Sequence, residues 1–182
     1  MKKGLLFFLV LLVVAGSVFS ADLSIYPQPL EGGSILVDAG AGYALSDHRN
    51  ASMQIPPIIV SADYCLPVGL PISIGGLLAF YRFNFNTPLL TYSSTWTYMT
   101  FGARANWHWN LDVSQLDLYT GVFVGYNFFY DDSKMQGHGK YVESGMKFGG
   151  QAGMHYYFTD SVGAVVEVGY PFIAKAGVAF KF

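Results

Sequence analysis

The chain has 182 residues, of which 52% are hydrophobic, 17% aromatic and only 12% charged, with a formal net charge of −2. A soluble domain carries about 25% charged residues, so an ordinary water-facing surface is excluded for want of charge. No basic patch interleaved with aromatics occurs, which argues against nucleic acid as a partner, and the single cysteine, Cys65, excludes an intramolecular disulfide.

Residues 1–20 read as a secretory leader. Lys2 and Lys3 supply the positive start, Leu5 to Ala15 a short apolar run, and Val18-Phe19-Ser20 the cleavage region before Ala21. The run falls short of the roughly 20 residues of a spanning helix, and no cysteine follows it to mark a lipoprotein. Removing the leader leaves 8 basic residues (10 less Lys2 and Lys3) against 12 acidic ones, a net charge of about −4. Residues 21–33 are expected to form an N-terminal periplasmic segment and residues 34–182 the folded domain. No stretch of 18 apolar residues follows the leader, so transmembrane helices are excluded.

From Ser34 onward, period-two alternation recurs between turn signals. The first predicted strand, Ser34 to Ala44, sets Ile35, Val37, Ala39, Ala41 and Tyr43 against Ser34, Asp38, Gly40 and Gly42. A polar loop over residues 46–50 follows. The second strand is predicted to begin after Pro56-Pro57, because proline cannot donate to a ladder; Ile58, Val60, Ala62 and Tyr64 oppose Ser61 and Asp63. A tight turn at Pro67-Val68-Gly69 leads to the third strand, Pro71 to Phe83, where alternation is weakest. Placing Arg82 inward carries Ile74, Leu78 and Phe80 with it as a candidate apolar lumen wall. The opposite register turns Arg82 toward lipid, which is costly away from the interface. The inward register is the one expected.

The fourth strand, Thr95 to Trp107, is clearer: Met99, Phe101, Ala103, Ala105 and Trp107 oppose Tyr98, Thr100, Gly102, Arg104 and Asn106. A turn near residues 110–114 precedes a fifth strand with Leu116, Leu118, Val122, Val124, Tyr126 and Phe128 on one face. Asp117, Tyr119, Gly121, Gly125 and Asn127 lie on the other. A long loop, residues 130–142, then gives way to a sixth strand. There Met146, Phe148, Ala152, Met154, Tyr156 and Phe158 oppose Lys147, Gly149, Gln151, Gly153 and His155. After Thr159-Asp160-Ser161, the seventh strand puts Val162, Ala164, Val166, Val168 and Tyr170 opposite Glu167. The last strand sets Ala176, Val178, Phe180 and Phe182 against Lys175, Gly177, Ala179 and Lys181.

Eight strands, apolar on one face and polar or small on the other, need two different solvents. A closed antiparallel up-and-down barrel in a bilayer supplies them, with hydrocarbon outside and a polar lumen inside. Aromatics gather at the strand ends as two girdles, Tyr43, Tyr126, Phe128 and Tyr170 at one rim and Tyr64, Trp107, Tyr156, Phe158, Phe180 and Phe182 at the other. A soluble lipocalin-like barrel needs the reverse polarity, which strands four to six and eight contradict.

The leader, the Thr159-Asp160-Ser161 turn, the segment from Gly163 to Tyr170 and the ending Gly177-Val178-Ala179-Phe180-Lys181-Phe182 carry a resemblance. The chain resembles the small eight-stranded outer-membrane barrels of diderm bacteria, the group of OmpX, OmpW and the OmpA membrane domain. The likeness covers nearly all of the mature chain as an architecture, and as a motif only the last two strands. It implies residence in the outer membrane, contact with outer-membrane lipids, and a C-terminal signal for the barrel-assembly machinery at Val178, Phe180 and Phe182. Members of the group serve as adhesins, resistance factors, hydrophobic-solute conduits or anchors; the lack of a peptidoglycan-binding domain argues against anchoring.

The inward set Asp38, Asp63, Arg82, Arg104, Asp117, Lys147, His155, Glu167, Lys175 and Lys181 mixes signs. Buried charges must be paired, so these residues are expected to neutralise one another and fill a lumen just wide enough for side chains. A narrow proton path is the competing use. No catalytic, metal or cofactor site is expected. His138 with Ser144 lacks an orienting acid for a hydrolase, His48 and His108 fall in a loop and a turn, and Asp131, Asp132, His138 and Glu143 match no calcium-loop spacing. Function is expected to be structural or to lie in surface contacts of the exposed loops with host or surface molecules; the alternatives are a conduit or binder for small hydrophobic molecules and, after it, a lipid-modifying outer-membrane hydrolase.

Overall fold

The computed structural model describes residues 30–44, 51–87, 92–109, 111, 113–133, 145–170 and 172–182. They form eight strands: β1 (Ile35–Tyr43), β2 (Ala51–Cys65), β3 (Ile72–Thr87), β4 (Tyr92–Trp109), β5 (Leu116–Ser133), β6 (Gly145–Tyr157), β7 (Val162–Gly169) and β8 (Ala174–Lys181). Each pairs with its neighbours in sequence, all antiparallel, and β8 closes on β1. Closure leaves no edge strand, the condition for a sheet to meet hydrocarbon with every backbone group paired. At the seam, Ile35 and Phe182 exchange two backbone hydrogen bonds of 2.8 and 2.9 Å. Gly40 faces Gly177 there, and a Cβ at Gly177 would overlap the carbonyl oxygen of Ala39, so the seam closes only around glycine.

The connections after β2, β4 and β6 are short and lie at the end that also holds Ile35 and Phe182, hereafter the turn end. Gly69, with φ of 73°, lets the first of these turns reverse. The connections after β1, β3, β5 and β7 lie at the opposite, loop end. The wall is uneven. Strands β2 to β5 run to 15, 16, 18 and 18 residues, while β1, β7 and β8 have 9, 8 and 8. The tall side therefore rises well past the short one.

Several strands extend beyond their predicted limits. β2 begins at Ala51 and runs through Pro56 and Pro57; the register shifts between Met53 and Ile55 and between Ile55 and Ile58 absorb the prolines, which need no ladder bond at a bulge. β3 and β4 pair as far as Thr87 with Tyr92, where a loop was expected from residue 84. β5 likewise carries Tyr130, Asp131 and Asp132 in register with β4. The expected leader, and residues 21–29 of the N-terminal segment, lie outside the described residues, as do His48, His138, Glu143 and Ser144. From that segment Leu30 is buried against Leu36, Cys65 and Tyr157, and closes the turn end of the lumen.

Polarity runs inside out. Phe101, Val124 and Met154 point away from the axis and are exposed, with Val122 and Phe148 at 65% and 69%, while Arg104 and Asp117 are buried inside. So much exposed apolar surface, continuous around a cylinder, is a membrane-facing surface. Tyr43, Phe128 and Tyr170 stand exposed near the loop end, and Tyr64, Tyr156, Phe158 and Phe182 near the turn end.

Candidate functional site

The middle of the lumen holds a polar core to which all eight strands contribute. Arg104 on β4 sits at its centre. Its Nε donates to Asp63 Oδ1 at 2.8 Å and its Nη2 contacts the other oxygen, a two-pronged pairing. Nη1 reaches Glu167 Oε2 at 3.0 Å and Nη2 also reaches Asp38 Oδ2 at 3.3 Å. One guanidinium thus ties β4 to β2, β7 and β1. Its planar fork of five donors suits this task; a lysine in its place has no such fork. Lys175 on β8 adds longer contacts, 3.4 Å to Asp38 and 3.5 Å to Glu167. Tyr119 donates its hydroxyl to Glu167 at 2.6 Å.

Beside this hub runs a chain of alternating rings and carboxylates. Ser73 Oγ lies 2.9 Å from His108 Nε2, and His108 Nδ1 lies 2.8 Å from Asp117 Oδ1. The other Asp117 oxygen is 2.7 Å from His155 Nδ1, and His155 Nε2 is 3.1 Å from Asp38 Oδ1. Both nitrogens of His155 face carboxylate oxygens, which accept only, so the ring satisfies both as the doubly donating imidazolium. Gln151 donates to Asn106 at 2.8 Å, and Asn106 in turn reaches Asp63 and Ser73 at 3.4 Å. Buried polar atoms here are paired with one another, as a low-dielectric interior requires.

Seven of the ten residues expected in the lumen meet in this core: Asp38, Asp63, Arg104, Asp117, His155, Glu167 and Lys175. Lys147 also faces inward but is half-buried toward the loop end and makes no ion pair among the described residues. Lys181 lies at the turn end, its Nζ 5.3 Å from the centre of the Tyr157 ring. Val178 and Phe182 are exposed on the outer face and Phe180 is half-buried there.

Arg82 is a correction. The burial pattern of β3 turns Ser73, Leu77, Ala79, Tyr81 and Phe83 inward, and Arg82 outward beside Thr97. Ile74 and Leu78, at 47% and 61% exposure, and half-buried Phe80 go outward with it, so the predicted apolar wall is on the wrong face. Rim position is the physical reason: Arg82 lies one residue pair beyond the apolar row Phe80–Met99–Phe128, where a charge meets the interface instead of hydrocarbon. An apolar wall does exist, built from the other face. Ile59, Leu77, Ala79, Tyr81, Phe83, Phe123 and Phe172 form one cluster above the ionic core, with Met53, Trp96 and Tyr98 packed against it. Tyr81 stacks on Tyr98 with ring centres 4.7 Å apart.

His108 is the functional-looking residue that the sequence reading missed. It belongs to β4, one inward step past Asn106, and the alternation already pointed there. Ser73 was missed because the β3 register was wrong.

A void of about 10 Å³, room for little more than one water, lies where the two storeys meet, lined by Leu77, Phe123, Gln151, Glu167, Phe172 and Lys175 among others. That is below the range of about 300–1,000 Å³ usual for small-molecule sites. Ser73, His108 and Asp117 have the linear order of a nucleophile, base and orienting acid. All three are buried, however, and the Leu30–Leu36–Cys65–Tyr157 plug closes the nearer end.

No protein family and no curated protein matches the chain. Solved structures match its fold. OprG, an outer-membrane protein from Pseudomonas aeruginosa, is 12% identical with a TM-score of 0.58, over 88% of this chain and 99% of that one. Ail, the attachment invasion locus protein of Yersinia pestis, is 15% identical with a TM-score of 0.57, over 84% and 100%. Neisserial surface protein A is 16% identical with a TM-score of 0.53, over 84% and 98%. The chain is an eight-stranded antiparallel barrel of the small outer-membrane type.

Proposed function

We propose that this protein is an integral outer-membrane barrel with a closed lumen, whose activity lies in what its loop end touches and not in passage through it. One observation carries the reading: a polar core from all eight strands, ionic on every strand but β3, fills the middle of the lumen, between an apolar storey and the Leu30–Tyr157 plug. The turn end faces the periplasm, residues 1–20 are removed as a leader, and Val178, Phe180 and Phe182 present the assembly signal to the barrel-assembly machinery. The uneven wall supports the loop end as the contact surface, because β3 to β5 continue several residue pairs beyond the apolar row Phe80–Met99–Phe128 there. Ail has been solved in complex with the heparin analogue sucrose octasulfate; a host or surface polymer is the partner class proposed here. The protein is not an enzyme and takes no cofactor on this reading.

Purified protein in planar bilayers tests the closed lumen. No discrete conductance steps are expected, and stable steps from the unmodified protein would sink the proposal.

A second reading, a binder or conduit for small hydrophobic molecules, draws on one specific observation, the aromatic and aliphatic storey between the ionic core and the loop end. Uptake of an apolar fluorescent probe by protein-containing vesicles, with and without Leu77→Asp, separates the two. Uptake that Leu77→Asp abolishes favours the conduit; equal uptake by both removes it.

A further inference from the structure

Among outward strand positions whose side chains are described, Arg82 is the only charged residue. It is also held in place. Nε donates to Thr97 Oγ1 at 3.2 Å, and the guanidinium carbon stands 5.8 Å from the centre of the Phe80 ring below it. Arg82 makes no ion pair among the described residues.

Its neighbours are oriented to donate. Thr95 gives its hydroxyl proton to Asn84 Oδ1 at 3.1 Å, which leaves the two Asn84 amide protons to donate elsewhere. Thr97 accepts from Arg82 and so retains its own proton for another acceptor. The Nη pair of Arg82, the Thr97 hydroxyl and the Asn84 amide therefore make a patch of donors across the adjacent strands β3 and β4. It lies just beyond the last apolar row, Phe80–Met99–Phe128, at the depth where lipid headgroups begin. We infer that this patch holds the phosphate of an anionic membrane lipid. A guanidinium with its Nη edge free matches two phosphate oxygens at once, and the half-buried setting on Phe80 weakens competition from water.

The experiment compares lipid retention by native mass spectrometry after extraction into neutral detergent, with diphosphorylated lipid A as the probe and its dephosphorylated form as the control. Wild-type protein is expected to retain the phosphorylated form selectively, and Arg82→Gln to weaken it roughly tenfold, the loss of one charge-assisted contact. Thr97→Val, which keeps the charge but frees the guanidinium, is expected to weaken it severalfold; it serves as the second variant should Arg82→Gln fail to fold. Equal retention of both lipid forms, or retention by Arg82→Gln within twofold of wild type, would overturn the assignment. Displacement of the lipid by millimolar inorganic phosphate would show a free-anion site and overturn the lipid as occupant. None of these outcomes depends on whether the lumen is closed.

Discussion

Arg104→Met is the most demanding test of the ionic core. Methionine preserves much of the side-chain volume, so the change isolates charge and hydrogen bonding from packing. The guanidinium contacts Asp38, Asp63 and Glu167, but the three losses are unequal. Asp38 keeps His155 and Lys175, and Glu167 keeps Lys175 and the Tyr119 hydroxyl. Asp63 keeps only the Asn106 amide at 3.4 Å, with no other cation among the described residues. Most of the cost should therefore reside on Asp63, a carboxylate left buried without its counter-charge, which is worth roughly 3–5 kcal/mol. The assay is reversible urea unfolding in lipid vesicles, followed by tryptophan emission and by the mobility of unheated protein on gels. Adding Asp63→Asn to Arg104→Met should recover at least half of the loss, whereas adding Glu167→Gln should recover little. A single-variant cost under about 1 kcal/mol, or equal rescue by both second changes, would refute this account of how the core is held.

Four shorter predictions follow from the same contacts. His155→Leu removes the donor shared by Asp38 and Asp117 and should cost roughly 3 kcal/mol in the same unfolding assay, with partial recovery on adding Asp117→Asn. Gly177→Ala places a methyl against the backbone of β1 at the seam and should lower the unfolding free energy by about 1–3 kcal/mol, while Gly150→Ala, where the nearest atom is 3.5 Å away, should be neutral. Ser73 should resist a fluorophosphonate probe in the folded barrel; stoichiometric labelling lost in Ser73→Ala would contradict the sealed lumen. Phe123→Ala should cost roughly 3–5 kcal/mol if the upper storey is a packed core, and much less if it is an open channel wall.

The fold was legible because the two solvents write a period of two into the sequence. β4, β5 and β6 alternate clearly through the middle and turn-end half of the barrel, so Arg104, Asp117 and His155 fall inside from pattern alone. The same logic reached Glu167 and Lys175, charges on otherwise apolar or small stretches. Which of these residues touch was not legible, because contacts across the lumen depend on how far each strand is staggered along the axis. The hub at Arg104 links residues 41, 63 and 66 positions away in the chain, and no local spacing encodes that.

The failure on β3 has a definite cause. Alternation marks the faces of a strand only where lumen and membrane differ in polarity, and along β3 they do not. Leu77, Ala79, Tyr81 and Phe83 line the apolar upper storey while Ile74, Leu78 and Phe80 meet lipid, so both faces read as greasy. The one charged residue of the strand, Arg82, was used to set the register by assuming that charge points inward. That assumption holds at mid-membrane and inverts at the rim, where an outward arginine meets headgroups and an inward one would have to enter an aromatic cluster without a counter-ion. A better guide was present on the neighbouring strand. Pairing places Thr97 beside Arg82 and Thr95 beside Asn84, and the outward face of β4 turns from Met99 and Phe101 to those two threonines at the same height. Reading the level at which two adjacent strands change from apolar to polar would have fixed the rim first, and the direction of Arg82 would have followed from it.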